Sequence, residues 1–381
     1  MKIVFTGGGT GGHFYPIIAV AQKINQIIDH ENILGAKLYY ISDNPYDKEM
    51  LFENGLLYEQ INTGKMRTHF SFKSFFLNFS DIFKVFLGVI NATFKMFSIY
   101  PDVVFGKGGY ASFPTIFAAR ILCIPVVIHE SDSAPGRVNK WAGHFAKKVA
   151  VAFIEAADYF PKESVAWMGQ PIRTEIENPA PHKEALEYFK LESDLPVILV
   201  LGGSQGAELI NNTILDALPR LVNNYQIIHQ TGVKNFKTVK DRAEVVLTDN
   251  QYKLRYFSVP FLNPLYMRMA SGVASIIISR AGSMLFEIAA WGIPSVLIPI
   301  TNTNSDHQKK NAFNYARAGA CIVVEEMNMT ANILSSEIER IIGDKVGYEK
   351  MAQSAKAFHK PDAAMKIARA LVDIALSHES R

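Results

Sequence analysis

Glycine-rich segments with a histidine, a lysine or a hydroxyl beside them are the parts of this 381-residue chain best suited to chemistry. The first, GGGTGGH at 7–13, has five glycines in six positions directly after an apolar run. Glycines let the backbone pass close to a bound group, and the start of the following helix offers free N–H donors to an anion. The segment predicts an anion-binding turn ending at His13, whose imidazole titrates near neutral pH. A tight turn without a ligand is the simpler alternative.

Two further glycine turns follow apolar runs, GKGGY at 106–110 and GGSQG at 202–206. In the second, Ser204 adds a hydroxyl donor suited to a phosphate oxygen. Neither turn has the Gly-Lys-Ser/Thr ending of an ATP-hydrolysing phosphate loop. A single glycine turn can be purely structural, but three at strand ends of two domains predict a shared ligand cleft.

Polar residues farther along extend the candidate site. The segment SRAGS at 279–283 opens a helix whose start is suited to a diphosphate. Glu287 lies one turn inside, where it either accepts the hydroxyls of a ribose or simply favours the helix start. Gln308 can both donate to and accept from sugar hydroxyls, unless it is only part of a polar loop. Arg173, after Gly-Gln-Pro, is either a phosphate or uracil partner or a solvated linker charge.

Acidic residues close another apolar run, in the segment HESD at 129–132. The carboxyl ends of parallel strands form the usual active-site edge of a doubly wound sheet. Glu130 and Asp132 have the chemistry of metal ligands, but no Asp-x-Asp triplet occurs in the chain. We therefore expect no metal and no cofactor.

Nine of the 25 phenylalanines fall in positions 61–100, with five basic residues and one acid, Asp81. The basic residues are Lys65, Arg67, Lys73, Lys84 and Lys95. The phenylalanines that recur at helical spacing are Phe72, Phe75, Phe76, Phe79, Phe83 and Phe86. A basic, aromatic-rich amphipathic helix is typical of a segment that lies on an anionic membrane surface. An ordinary buried helix is the alternative.

Strand-like and helix-like segments alternate along the chain and would position these residues. Alternating strands and helices predict an α/β protein with parallel sheets covered on both faces. The order strand, glycine turn, helix begins at residue 2 and begins again near residue 195, so we expect two Rossmann-like domains, roughly 1–165 and 172–360. The expected strands are Lys2–Thr6, Lys37–Ser42, Val103–Phe105, Val126–His129, Val149–Val151, Val197–Leu201, Gln226–Gln230, Tyr256–Val259, Ala274–Ser279 and Ser295–Pro299.

Composition excludes several classes of protein. A formal net charge of +3, from 39 basic and 36 acidic residues, is too balanced for a dedicated nucleic-acid binder. The two cysteines, Cys123 and Cys321, have neither zinc spacing nor a disulfide framework, which favours a reducing cytoplasm. The start is too short for a signal-peptide core, and no uncharged apolar run reaches the roughly 18 residues of a spanning helix.

Taken together and in this order, the motifs resemble those of the MurG family, the bacterial UDP-N-acetylglucosamine transferases of peptidoglycan synthesis. The matching segments are GGGTGGH at 7–13, GKGGYASFP at 106–114, IHESDSAPG at 128–136, GQPIR at 169–173, GGSQGA at 202–207, SRAG at 279–282, EIAAWGIPSVLIP at 287–299 and DHQKKNA at 306–312. The resemblance spans nearly the whole chain. It implies a GT-B fold, with two Rossmann-like doubly wound parallel-sheet domains facing a cleft, and transfer of N-acetylglucosamine from UDP-N-acetylglucosamine to the C4 hydroxyl of the muramoyl sugar on undecaprenyl diphosphate (lipid I), giving lipid II.

The resemblance also implies roles for domains and residues. Residues 1–165 would bind the acceptor and dock on the cytoplasmic face of the inner membrane, 172–360 would bind the donor, and a helix in 361–381 would return to the first domain. Other cell-wall synthesis proteins are candidate partners. Phe261 would cap the uracil, and the helix start at Arg280, Gly282 and Ser283 would face the diphosphate. The remaining substrate contacts would be Thr10, Gly11, Gly12, Asp132, Arg173, Ser204, Leu262, Glu287 and Gln308.

An α-linked donor and a β-linked product require inversion in a single displacement assisted by a general base. His13 is our expected base, and Glu130 is either the rival base or a group that orients the acceptor. Three other functions stay open on sequence alone. They are a UDP-N-acetylglucosamine epimerase or glycolipid synthase of the same architecture, a nicotinamide-dependent oxidoreductase with Asp43 as its ribose acid, and a membrane-bound nucleotide sensor without catalysis.

Overall fold

The computed structural model describes residues 1–64, 72–203, 206–301 and 306–379, with the side chains of 72–82 and 378–379 excepted. The chain separates into two compact units. The first comprises Met1–Arg173 and Pro361–Arg381, and the second comprises Thr174–Lys360. Each unit contains one parallel β-sheet with helices on both faces.

The first unit is built on a seven-stranded parallel sheet of order β3-β2-β1-β4-β5-β6-β7. The strand order reverses between β1 and β4, which makes their carboxyl ends the topological switch point where ligands bind in doubly wound folds. The strands are β1 Lys2–Thr6, β2 Lys37–Ser42, β3 Leu56–Gln60, β4 Val103–Gly106, β5 Val126–Glu130, β6 Lys148–Val151 and β7 Val165–Trp167. The helices are α1 Gly11–Glu31, α2 Lys48–Glu53, α3 Phe72–Ile99, α4 Phe113–Ile121 and α5 Arg137–Ala142.

Strand β1 shows why the apolar runs are continuous. Ile3 and Phe5 pack into the core under α1, whereas Val4 between them packs into a second core under α3 and α4. All three side chains are fully buried. A central strand covered on both faces needs apolar residues at every position, so no alternation appears in its sequence.

The second unit has a six-stranded parallel sheet of order β10-β9-β8-β11-β12-β13, with its switch point between β8 and β11. Its strands are β8 Val197–Leu201, β9 Gln226–Gln230, β10 Tyr256–Val259, β11 Ala274–Ser279, β12 Ser295–Leu297 and β13 Ile322–Val323. Its helices are α6 Thr174–Glu177, α7 His182–Phe189, α8 Glu208–Leu221, α9 Phe236–Val246, α10 Pro264–Val273, α11 Met284–Trp291, α12 His307–Arg317, α13 Ala331–Gly343 and α14 Lys345–Phe358.

The last helix, α15 (Ala363–Glu379), belongs to the first unit. Its buried face, including Ile367 and Leu371, joins the core formed by α1 and β1. Arg369 pairs with Glu31 at the end of α1, with Nη1 2.5 Å from Oε1. The carboxyl-terminal segment of the chain thus completes the sheet packing of its amino-terminal unit.

The predicted fold class is confirmed, because two doubly wound parallel sheets are present. Six predicted strands have the predicted bounds, and the other four differ by one or two residues at an end. Three strands that we did not predict, β3, β7 and β13, lie at sheet edges and have only five, three and two residues. Within the part of the chain described here, no helix is both long and apolar enough to span a membrane.

Candidate functional site

Two of the predicted glycine turns meet at the switch point of the first unit. The turn at 7–12 follows β1, and the turn at 107–109 follows its neighbour β4. A Cβ at Gly109 would lie 3.0 Å from the Gly8 carbonyl oxygen and 3.4 Å from His13 Cε1. Gly109 also has a φ of 81°, which disfavours other residues. The two turns therefore pack backbone against backbone, with His13 at their junction.

His13 lies in the first turn of α1, where Thr10 precedes the helix without capping it. Its Nδ1 is 3.2 Å from Thr10 Oγ1, and the ring also bonds to the Gly8 backbone. Burial, followed by the positive charge of Lys107, lowers the pKa of His13 to about 4. The imidazole is therefore neutral at pH 7 and has a lone pair that can accept a proton.

Lys107 is a buried cation that the sequence analysis did not select. It is 1% exposed, and its ammonium donates to Ser131 Oγ, which in turn donates to Gln170 Oε1 at 2.7 Å. Burial lowers the pKa of Lys107 to about 8, against the opposing charges of Glu130 and Asp132. A buried charge is costly unless it is paired, so this chain of polar groups is typical of a functional site.

Glu130 ends β5 and is only 4% exposed. Its Oε1 accepts from the Asp132 N–H at 2.9 Å, and its Oε2 accepts from the Gly136 N–H at 3.0 Å and from Asn139 Nδ2 at 2.9 Å. Burial and the Asp132 charge raise the pKa of Glu130. With both oxygens bonded to its own loop and to α5, this carboxylate is placed to hold the loop that carries Asp132.

Arg173 ends the first unit beside the glycine turn at 7–12. Its guanidinium carbon lies 3.9 Å from the centre of the Tyr15 ring, and the residue is 9% exposed. Tyr15 belongs to α1, and a Cβ at Gly11 would lie 2.8 Å from that ring. The structure therefore brings Thr10, Gly11, Gly12, His13 and Arg173 to one end of α1.

The predicted donor residues of the second unit lie at the carboxyl edge of its sheet. Ser204 lies outside the described residues, but Gly202 and Gly203 directly follow β8. Leu262, after β10, is buried and donates its N–H to Gln230 Oε1 at 3.1 Å. The neighbouring Phe261 ring is 43% exposed and so is available to stack on a base.

The turn after β11 leads through Gly282 and Ser283 into α11, and Glu287 lies in the first turn of that helix. Gln308 lies in the first turn of α12, and its Oε1 accepts from the Ile300 N–H at 3.2 Å. Arg280, which we expected at the helix start that faces the diphosphate, has both terminal nitrogens bonded within the protein. Nη1 donates to the Ile298 carbonyl at 3.0 Å, and Nη2 lies 2.7 Å from Glu326 Oε1.

Four functional candidates emerge only from the structure: Lys107, Asn139, Gln230 and Glu326. Lys107 lies in the GKGGY turn at 106–110, but the sequence does not show that its side chain is buried. Gln230 ends a predicted strand, which was a usable signal. Asn139 contacts Glu130, nine residues earlier, across the loop between β5 and α5, and Glu326 contacts Arg280, 46 residues earlier. The local sequence indicates neither contact.

Two doubly wound units with glycine turns at their switch points define the class of two-domain nucleotide-sugar enzymes. The glycosyltransferase family 28 N-terminal domain matches residues 3–151, and the family 28 C-terminal domain matches residues 197–367. The UDP-N-acetylglucosamine–N-acetylmuramyl-(pentapeptide) pyrophosphoryl-undecaprenol N-acetylglucosamine transferase of Halothermothrix orenii is 36% identical over 369 residues, 95% of each chain.

Solved structures of related proteins have the same fold as this chain. Acinetobacter baumannii MurG has a TM-score of 0.73 and 26% identity, covering 98% of this chain and 99% of its own. The UDP-GlcNAc 2-epimerase of Neisseria meningitidis, bound to UDP-GlcNAc, has a TM-score of 0.66 at 16% identity, covering 98% and 100%, and shows the shared fold alone. The chain belongs to glycosyltransferase family 28 and, within it, to the MurG family.

Proposed function

We propose that this chain is an inverting glycosyltransferase that moves N-acetylglucosamine from UDP-N-acetylglucosamine to the C4 hydroxyl of the muramoyl sugar of lipid I, giving lipid II. The observation that carries the proposal is its 36% identity, over 95% of both chains, to a relative named for this transfer. A nicotinamide-dependent oxidoreductase and a sensor without catalysis are set aside by membership in the family. The epimerase has only the fold in its favour.

The second unit would bind the donor. Helix α11 begins at Met284 after the turn at Gly282 and Ser283, and the positive end of its dipole would meet the diphosphate. Glu287 would accept ribose hydroxyls, Phe261 would cover the uracil, and Gln308 would contact the sugar. Once these dipoles stabilise the charge of departing UDP, the leaving group needs no proton.

The first unit would bind the acceptor and supply the base. As the acceptor oxygen attacks the anomeric carbon and the bond to UDP breaks, the hydroxyl proton passes to His13. Of the two candidates we favour His13, because its ring is neutral at pH 7 and lies at the junction of the two glycine turns, whereas Glu130 accepts from three donors of its own loop and of α5. Glu130 would then be a positioning residue for the 131–136 loop.

The first unit would also dock peripherally on the cytoplasmic face of the inner membrane. Large apolar side chains along α3 are exposed: Phe83 at 60%, Phe86 at 61%, Phe94 at 72% and Phe97 at 71%. Their spacing of three, eight and three residues places them along one side of a helix. Exposed aromatic rings on a basic helix favour insertion at an anionic lipid surface. Lys65 and Arg67 of the predicted basic segment lie outside the described residues.

The decisive experiment follows radiolabel from UDP-N-acetylglucosamine into a short-chain lipid I analogue. We expect label in the lipid product only when both substrates are present, with one UDP released for each sugar transferred. Release of free N-acetylmannosamine without a lipid acceptor would identify an epimerase instead. Binding of UDP-N-acetylglucosamine without turnover in the presence of the acceptor would contradict the proposed transfer.

A further inference from the structure

The ion pair between Arg280 and Glu326 connects the turn before α11, which is the proposed diphosphate contact, to a short 3-10 turn after β13. Arg280 leads from β11 into the turn before α11, and Glu326 lies in a short 3-10 turn after β13. Their side chains are 14% and 20% exposed, with Arg280 Nη2 2.7 Å from Glu326 Oε1. At this partial burial the pair is screened less than a surface salt bridge.

Glu326 uses its second oxygen for a different segment. Its Oε2 accepts from the Thr301 N–H at 3.0 Å and from Thr301 Oγ1 at 2.6 Å. Thr301 follows β12 on the chain segment that leads to Gln308. Burial disfavours the Glu326 carboxylate, yet the bonds from Thr301 and the charge of Arg280 outweigh it and hold the pKa of Glu326 below its ordinary value. The carboxylate is thus charged and fully engaged.

Two more contacts tie the same segments together. Arg280 Nη1 donates to the Ile298 carbonyl at 3.0 Å, so its guanidinium spans from Glu326 to the end of β12. Gln308 Oε1 accepts from the Ile300 N–H at 3.2 Å, next to Thr301. The turn after β11 and the start of α12 are therefore held to one short stretch, residues 298–301, and Glu326 is the only group that bonds to both Arg280 and Thr301 among the described residues.

We propose that Glu326 is a positioning residue for donor selection, holding Arg280 and Thr301 so that the diphosphate turn and the sugar-reading Gln308 keep one relative geometry. This inference rests on the proposed function, since it requires UDP-N-acetylglucosamine as the donor. Arg280 would act through its contacts with Glu326 and Ile298 rather than by touching the phosphates. Loss of the Glu326 contacts should weaken recognition of the sugar more than recognition of UDP, because the uracil contacts at Phe261 and Leu262 follow β10, a segment separate from those that Glu326 holds.

The test compares Glu326→Gln with the wild type in the full chain. The amide keeps the size of the side chain but loses its charge and can accept at one atom only. We expect the KM for UDP-N-acetylglucosamine to rise about tenfold, the loss typical of a hydrogen bond to a charged group, while inhibition by UDP changes less than about threefold. The preference of the enzyme for UDP-N-acetylglucosamine over UDP-N-acetylgalactosamine, which differs at one hydroxyl, should decrease. The KM for the lipid acceptor should stay the same.

Thr301→Val is the second variant, because it removes one hydroxyl bond and leaves the ion pair. It should raise the KM for UDP-N-acetylglucosamine more than it weakens inhibition by UDP, and it should lower the preference over UDP-N-acetylgalactosamine. Both effects should be smaller than in Glu326→Gln. Glu339→Gln is the matched control, since Glu339 pairs with Arg220 in the same unit, 2.7 Å apart on an exposed surface. It should leave the kinetics unchanged.

The outcomes separate the two levels of the argument. If UDP and UDP-N-acetylglucosamine lose affinity by equal factors, or if neither changes, Glu326 has no role in donor selection. If Glu326→Gln does not fold, Thr301→Val provides the test, through the same comparison of the loss of affinity for UDP-N-acetylglucosamine with the loss for UDP. If the wild type transfers no sugar from UDP-N-acetylglucosamine, the proposed function itself is wrong, whatever the variants do.

Discussion

Lys107 and His13 lie on the two glycine turns that meet at the switch point of the first unit, and the ammonium lowers the pKa of the imidazole. Three further groups face the pair. Asp132 opposes the effect of Lys107 on His13, Glu130 and Asp132 both favour the charged lysine, and Thr10 bonds to the ring. An imidazole that is neutral at physiological pH and a buried cation beside it thus belong to one arrangement.

The first prediction concerns the pH dependence of turnover. A base must be unprotonated, so activity is lost as the pH falls through the pKa of His13. With that pKa near 4, kcat should stay level from pH 7 to about pH 5, where an ordinary histidine would already be mostly protonated. In Lys107→Met, the acid limb of the kcat profile should move to higher pH, because one of the two causes of the lowered pKa is gone.

The matched control for this profile is Lys37→Met, a change at an exposed position at the start of β2. It should leave the acid limb where it is in the wild type. An acid limb near pH 6.5 in the wild-type enzyme, or an identical limb in Lys107→Met, would contradict the electrostatic coupling.

The second prediction separates the two candidate bases. His13→Ala should lower kcat by about a hundredfold or more, the usual contribution of a general base, with the KM for UDP-N-acetylglucosamine changed less than about threefold. Glu130→Ala should also keep donor binding and lower turnover, but through its loop, because Asp132 N–H, Gly136 N–H and Asn139 lose their acceptor. Its effect should therefore include a raised KM for the lipid acceptor.

Steady-state kinetics with each substrate varied in turn provide the measurement. Asn139→Ala serves as a companion to Glu130→Ala, since it removes one of the donors to that carboxylate and should reproduce part of its effect on the acceptor. Normal turnover in both His13→Ala and Glu130→Ala would show that neither is the base.

The third prediction concerns the exposed phenylalanines of α3. Phe94→Ser and Phe97→Ser should each weaken binding to vesicles containing anionic phospholipid by about tenfold, because burying a phenylalanine in the interface is worth about 1.5–3 kcal/mol. Flotation with vesicles of increasing phosphatidylglycerol content measures the effect. Phe52→Ser changes a ring that is 86% exposed on α2, outside this side of α3, and is the control. Equal losses in all three variants would argue against a docking face on α3.

Much of the fold could be predicted because its central strands are continuous apolar runs that end at glycines. β1 and β8 are examples, and in each the glycine turn marks the end of the strand. The edge strand β3, with the sequence LLYEQ, ends in polar residues and has no such signal. β13 has only two residues, so its existence depends on pairing with β12.

The site could be predicted only where the backbone is the functional group. Glycine turns are visible in the sequence, but the burial and the bonding partners of a side chain depend on what packs against it. Lys107 reads as an ordinary solvated lysine until β1 and β4 are placed side by side. Nothing in the sequence near Arg280 indicates that Glu326, 46 residues later, lies 2.7 Å from its guanidinium. These partnerships arise from topology rather than from local sequence.

The last prediction concerns stability in the second unit. His229 on β9 is fully buried, with Nδ1 2.9 Å from the Tyr256 hydroxyl and Nε2 3.0 Å from Asn211 Oδ1. Burial lowers the pKa of His229 to about 3. Since the unfolded chain binds a proton near pH 6.5 and the folded chain does not, the contribution to stability is present above pH 6.5 and is lost as the pH falls toward 3.

At pH 5 this loss amounts to about 2 kcal/mol relative to pH 7. Urea unfolding of the wild type and of His229→Gln, at both pH values, measures it. The variant is expected to be less stable at pH 7, because its amide cannot reproduce both ring contacts, but to lose about 2 kcal/mol less between pH 7 and pH 5. His144→Gln, at an exposed position, should behave as the wild type does. If His229→Gln has the same pH dependence as the wild type, the buried imidazole is not the group that titrates on unfolding.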